Sequence, residues 1–145
     1  MLYAWVKTIL LIYLFLSGWG QLVSDLPTGK IMIVDDDATN REVMEAFLTL
    51  EHFEVMVAAN GRDALEQIRQ EKPDLVLLDV RMPMMSGFDV CRTIKDQYNI
   101  PVFMLTGFDA DEQRREAVEA GADAFISRPF DITTLMKRIR ESIRR

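Results

Sequence analysis

Residues 31–40 read IMIVDDDATN: four apolar residues run directly into three consecutive aspartates. The apolar run has the character of a buried strand, and the acidic triplet stands at its carboxyl end. Adjacent carboxylates repel one another, so the arrangement is tolerable only where something neutralises it. Four more short apolar runs follow, EVMVA (54–58), LVLLD (75–79), VFMLT (102–106) and AFIS (124–127), each separated from the next by an amphipathic stretch. No repeat or low-complexity segment interrupts this βαβα rhythm. It predicts an α/β fold whose parallel sheet is covered by helices on both faces.

The helical stretches carry start and stop signals. Thr39 followed by Glu42 has the spacing of a capping box, after which Val43, Phe47 and Leu50 recur on one helical face. Asp37, nearest the helix start, reads as a cap rather than a ligand. A helix after Asn60-Gly61 is expected to bury Leu65 and Ile68, and Cys91 and Ile94 sit about a turn apart in the next. Asp109 with Glu112 offers a cap for a very polar helix ending at Gly121. The last helix begins near Asp131 and stacks Ile132, Leu135, Met136, Ile139 and Ile143 into one apolar stripe. His52 reads as a helix-end surface residue.

Composition limits the function classes. A chain of 145 residues with 49% hydrophobic content supports one ordinary core. The net charge of −6 argues against a nucleic-acid binder, and the basic cluster Lys137, Arg138, Arg140, Arg144 and Arg145 suits the end of a solvated helix. A single cysteine, Cys91, excludes an internal disulfide and a thiolate metal cage. Residues 1–29 differ in kind from the domain at 30–145. TILLIYLFLSGWGQLVS (8–24) carries no charge and is flanked by Trp5 and Trp19, yet it is short and diluted for a spanning helix. As a signal peptide its n-region is weak, with Lys7 its one charged side chain. The leader is therefore signal-like, an anchor, or a mis-assigned start.

In open parallel sheets, functional groups gather beyond the carboxyl ends of the strands. That position selects Asp35 and Asp36 after the first strand, Asp79 at the end of the third, Thr106 at the end of the fourth and Arg128 just past the fifth. Asp79 closes an otherwise apolar strand, where an unpartnered carboxylate is costly to bury. Three converging aspartates make an all-oxygen pocket suited to Mg²⁺, which would also relieve their repulsion. A phosphoryl donor drawn to such a cation would place Asp79 as nucleophile, with Thr106 and Arg128 positioned to receive the phosphoryl oxygens.

VDDD after the first strand, LLDVRMPMMSG at the third, MLTG at the fourth and SRPF at the fifth, in that order, resemble the receiver domain of two-component response regulators. The likeness covers 30–145 and is of the stand-alone, chemotaxis type. It implies a flavodoxin-like five-stranded sheet in the order 2-1-3-4-5 with five helices. It implies that Asp79 accepts the phosphoryl group, that Asp36 binds Mg²⁺ directly and Asp35 partly through water, and that the main-chain carbonyl of Arg81 is a further ligand. Thr106 would be the switch hydroxyl and Phe125 the aromatic residue that follows it. Pro83 and Gly87 would shape the loop after Asp79. The implied partners are a histidine kinase or histidine phosphotransfer protein and a downstream protein on the face of the domain's fourth helix, fifth strand and fifth helix. The setting is cytoplasmic, with membrane association only through residues 1–24, and the domain is a signalling module rather than an enzyme. With no output domain after the last helix, its expected output is binding. Two positions depart from the family pattern: Arg128 replaces the usual lysine, and Gly107 the usual alanine. A phosphatase would want a second carboxylate where Arg81 stands, and a flavodoxin-type electron carrier a Ser/Thr/Gly-rich loop where DDDATN stands. The remaining alternative is a pseudo-receiver, an unphosphorylated interaction module.

Overall fold

A computed structural model describes residues 2–16, 29–107 and 111–144. In chain order the elements are α1 (Leu2–Leu16), β1 (Lys30–Val34), α2 (Ala38–Leu50), β2 (Glu54–Ala58), α3 (Gly61–Gln70), β3 (Leu75–Asp79), α4 (Gly87–Gln97), β4 (Val102–Thr106), α5 (Asp111–Glu119), β5 (Ala124–Ser127) and α6 (Ile132–Ile143). The five strands form one parallel sheet in the order β2-β1-β3-β4-β5. This is the flavodoxin-like arrangement. Each of the four crossovers carries one helix and α6 follows β5, so among the described residues the receiver portion has five helices and α1 adds a sixth.

Both sheet faces are buried, which is why the strand sequences read as unbroken apolar runs. Met32, Val34, Val76, Leu78 and Met104 face α3, α4 and α5, meeting Ala64, Ile68, Val90, Cys91, Ile94 and Ala117. The intervening residues Ile31, Ile33, Leu75, Leu77, Phe103 and Leu105 face α2 and α6, meeting Met44, Leu48, Leu135, Met136 and Ile139. Helix caps fix where each chain segment turns back. Asn60, Ser86 and Asp131 accept from the first-turn N–H groups of α3, α4 and α6. Gly121 follows α5 with φ +84, a left-handed conformation that costs glycine nothing.

Two expectations about α2 need correction. Its cap is Asp37, whose side chain accepts from the Asn40 N–H at 3.0 Å, so Thr39 lies inside the first turn. Its inward residues are Met44 and Leu48, while Val43 is 50% and Phe47 38% exposed. α2 carries apolar residues on two adjoining faces, and the sheet takes only one of them. The other borders a groove of about 770 Å³ against Pro129, Phe130 and Ile132. In α3, Ile68 is buried as expected and Leu65 only partly. The proposed cap Asp109 and the flanking Trp19 lie outside the described residues. No helix among the described residues is long and apolar enough to cross a membrane.

Candidate functional site

β1 and β3 are neighbours at the centre of the sheet, so their carboxyl ends bring Asp35, Asp36 and Asp79 to one place. One carboxylate oxygen from each lies within 4.8 Å of the others. Asp35 is buried and its carboxylate is held from two sides: Oδ1 accepts the Asp37 N–H at 2.9 Å, and Oδ2 pairs with Arg128 Nη2 at 3.2 Å. Its carbonyl oxygen accepts from Arg41 Nη1 at 2.7 Å. Asp36, next along the chain, is exposed at the mouth.

Asp79 is only 9% exposed, and the Arg81 N–H points at its Oδ1 from 3.4 Å. Burial, then the charge of Asp35, push its carboxyl from 3.8 to about 6, against the opposing pull of the Arg81 N–H and Arg128. The acidic pocket therefore carries negative charge that the Arg128 guanidinium offsets only in part. The backbone behind Asp79 is tight as well. A Cβ on Gly87 would stand 2.3 Å from the Asp79 carbonyl oxygen, so only glycine permits α4 to start there.

β4 and β5 complete the edge. Asp79 is in register with Leu105, which puts Thr106 one residue further out, and Thr106 is in turn in register with Ser127. Thr106 is buried, and its Oγ1 donates to Gln113 Oε1 at 2.9 Å. The Arg128 N–H donates to the Thr106 carbonyl at 2.7 Å, tying the cation's backbone to the end of β4. Phe125 lies two positions back along β5, partly buried against the α3–α5 core, with the Arg114 guanidinium 5.1 Å from its ring centroid. The structure thus gathers Asp35, Asp36, Asp79, Thr106 and Arg128 at one sheet edge, with Phe125 set behind them. Sequence reasoning did not single out Arg41, Gln113 or Arg114. They are helix residues whose relevance depends on tertiary placement, and no motif marks them.

The donor set suits a hard divalent cation: all oxygen, multiply anionic, partly open to water and small enough for one hydrated ion. Fold and pocket together define a flavodoxin-like α/β domain built around an acidic cluster at the carboxyl edge of its central strands. Residues 31–140 match the response regulator receiver domain, and the chain belongs to that family of two-component signalling domains. It is 40% identical over 116 residues to "Probable transcriptional regulator ycf27" of Pyropia yezoensis, covering 80% of this chain and 48% of that protein. The chain thus spans about half the length of the curated relatives it matches. The BeF3-activated N-terminal receiver domain of Klebsiella pneumoniae RstA superposes with a TM-score of 0.77 at 34% identity, covering 80% of this chain and 99% of that one. Chemotaxis protein CheY4 of Vibrio cholerae gives 0.74 at 31% identity, covering 80% and 99%.

Proposed function

We propose that Asp79 accepts a phosphoryl group, with Mg²⁺, from a phosphohistidine on a histidine kinase or phosphotransfer protein. The convergence of three carboxylates within 4.8 Å carries this reading. An Asp79 carboxylate oxygen forms the new bond to phosphorus as the phosphorus–nitrogen bond breaks. The imidazole leaves with that electron pair and regains a proton from solvent. Mg²⁺, when bound, supplies charge neutralisation for the pocket and the phosphoryl oxygens. Asp36, Asp79 and the Arg81 carbonyl are its direct ligands in this reading, and Asp35 acts partly through water. The Asp37 N–H and Arg128 hold the Asp35 carboxylate in place. Arg128, at the end of β5, then offers its guanidinium to the phosphoryl oxygens, in a forked rather than point-charge contact.

Phosphorylation draws Thr106 toward the phosphoryl group and lets Phe125 change rotamer, altering the α5–β5–α6 face that a downstream protein reads. In this reading residues 30–145 form the receiver, residues 1–29 a separate leader, and the setting is cytoplasmic, where ATP-charged kinases supply the phosphohistidine. The ion pair between Arg128 and Asp35 favours one second reading, a pseudo-receiver whose pocket is neutralised by its own arginine. Incubation with Mg²⁺ and a small phosphodonor, followed by intact mass, separates the two. The wild type is expected to gain one hydroxylamine-labile phosphate and Asp79→Asn none. An unchanged wild-type mass would establish the pseudo-receiver instead.

A further inference from the structure

α1 reverses the polarity of a solvated surface helix. Trp5, Tyr13 and Phe15 are 69, 74 and 89% exposed, and Ile9, Leu11 and Ile12 are each more than half exposed. The one charged residue of the helix, Lys7, is exposed at the margin of the contact with α2, beside Thr49 and Leu50. Its ammonium lies 5.7 Å from the Tyr3 ring centroid. The polar residue among the outward ones, Thr8, donates its hydroxyl proton to the Ala4 carbonyl at 2.7 Å, so that donor is spent within the helix. Water meets an almost wholly apolar surface here, which is far more than the scattered exposure that soluble domains tolerate.

Lipid and a second copy of the helix are the two occupants with matching chemistry, and two observations favour lipid. From Leu11 through Phe15, Ile12, Trp5 and Ile9 to Tyr13, the exposed side chains sweep roughly 200° of the helix at about 100° per residue. A partner helix covers a narrower stripe, about 100° wide. Cations for anionic headgroups also stand on the same sheet face, while the Glu42 and Glu45 carboxylates of α2 face Tyr3 on the inward side of α1. α6, which shares a sheet face with α2, presents Lys137, Arg138 and Arg144 to solvent, while Arg140 is engaged by Glu51. The described part of α1, 15 residues, reaches about 22 Å against a hydrocarbon core of about 30 Å, and its broad exposed face runs along its side, which suits a helix lying in the interface.

We infer that α1 is an interfacial anchor that lies flat in an anionic bilayer, its outward face among the acyl chains and its inward face against α2. The receiver is thereby held at the membrane surface. This assignment does not depend on phosphorylation.

The full chain, mixed with vesicles of phosphatidylcholine and phosphatidylglycerol, is expected to float with them in a density gradient. In a Trp19→Phe background, Trp5 emission is expected to shift to the blue. Replacing two outward residues, Trp5→Glu with Ile12→Glu, should lower the vesicle-bound fraction at least about tenfold, since two large apolar side chains lose their burial. Lys7→Arg, which keeps the charge at the margin of the contact, should float as the wild type does. Because the replaced residues are exposed, cooperative unfolding of the domain should match the wild type in every variant. A wild type that stays at the bottom of the gradient would overturn the inference. Self-association in lipid-free solution that the double substitution abolishes, without flotation, would assign the face to a second copy and equally overturn it. Undiminished binding to phosphatidylcholine alone would overturn the anionic assignment.

Discussion

At the scale of single residues the pocket is a site of electrostatic strain, and that strain is measurable. Asp79 binds its proton more tightly in the folded protein, at about 6 against 3.8, because burial and Asp35 oppose ionisation. Between about pH 4 and 6 the native state therefore holds more protons than the unfolded chain, so stability falls as pH rises through that window and stays reduced above it. Asp79→Asn removes the cost. In chelator at about pH 7 it should be more stable than the wild type by roughly 1–2 kcal/mol, after allowance for solvent screening at the pocket mouth, and the gap should close below about pH 4. Urea unfolding at both pH values tests this, and a less stable Asp79→Asn at neutral pH would contradict it. Gln113 bears on the proposed switch. Its Oε1 accepts the Thr106 hydroxyl, a bond that movement of Thr106 toward a phosphoryl group must break. Loss of about 1 kcal/mol of restraint in Gln113→Ala should tighten beryllofluoride binding about fivefold. Amide shifts of Thr106 during titration would report it, and an unaltered affinity would show that Gln113 does not restrain the switch. The acidic residues were legible because strand-end carboxylates stand out against apolar runs. Gln113 was not, because a glutamine seven positions past Thr106 on a polar helix looks like any solvated side chain.

At the scale of elements, the strands were read almost residue for residue, since β1 and the four that follow are short apolar blocks bounded by polar turns. Only Lys30 was added, at the start of β1. α2 was harder for a physical reason. Its sequence offers two cap spacings, Asp37 to Asn40 and Thr39 to Glu42, and two apolar stripes, one through Met44 and Leu48 and one through Val43, Phe47 and Leu50. Periodicity finds both stripes and cannot rank them. The position of the helix over the β1 side of the sheet makes the choice, by burying Leu48 completely and leaving Phe47 at the groove. Substitutions separate the two assignments. Leu48→Ala should cost about 2–5 kcal/mol through transfer and cavity terms, whereas Phe47→Ala should cost under about 1 kcal/mol. Likewise Asp37→Ala should cost about 1 kcal/mol and Thr39→Ala a few tenths. Chemical denaturation of the four variants measures all of this, and a larger loss at Phe47 than at Leu48 would restore the stripe read from the sequence.

For the whole molecule, the question is how far the leader and the receiver are separate bodies. Both cores are built from residues after Gly29: the α3–α5 core from Met32 onward and the α2–α6 core from Ile31 onward. Among the described residues α1 contributes to neither, and it touches the domain at the surface of α2 near Ala46, Thr49 and Leu50. The sequence showed that residues 1–29 differ in composition, but it had no way to show which face of the domain they would meet. A helix resting on one surface adds little to cooperativity, because the surface exposed on unfolding, and with it the denaturant slope, belongs overwhelmingly to the sheet and its covering helices. A chain beginning at Gly29 should therefore unfold in one transition, with a stability within about 1 kcal/mol of the full chain, and should still gain one phosphate on Asp79 if that proposal holds. Urea titration followed by circular dichroism, together with intact mass, checks both halves. A broadened or multiphasic transition in the shortened chain would mean that α1 completes the fold of the receiver. In that event α2 would owe part of its own stability to the leader.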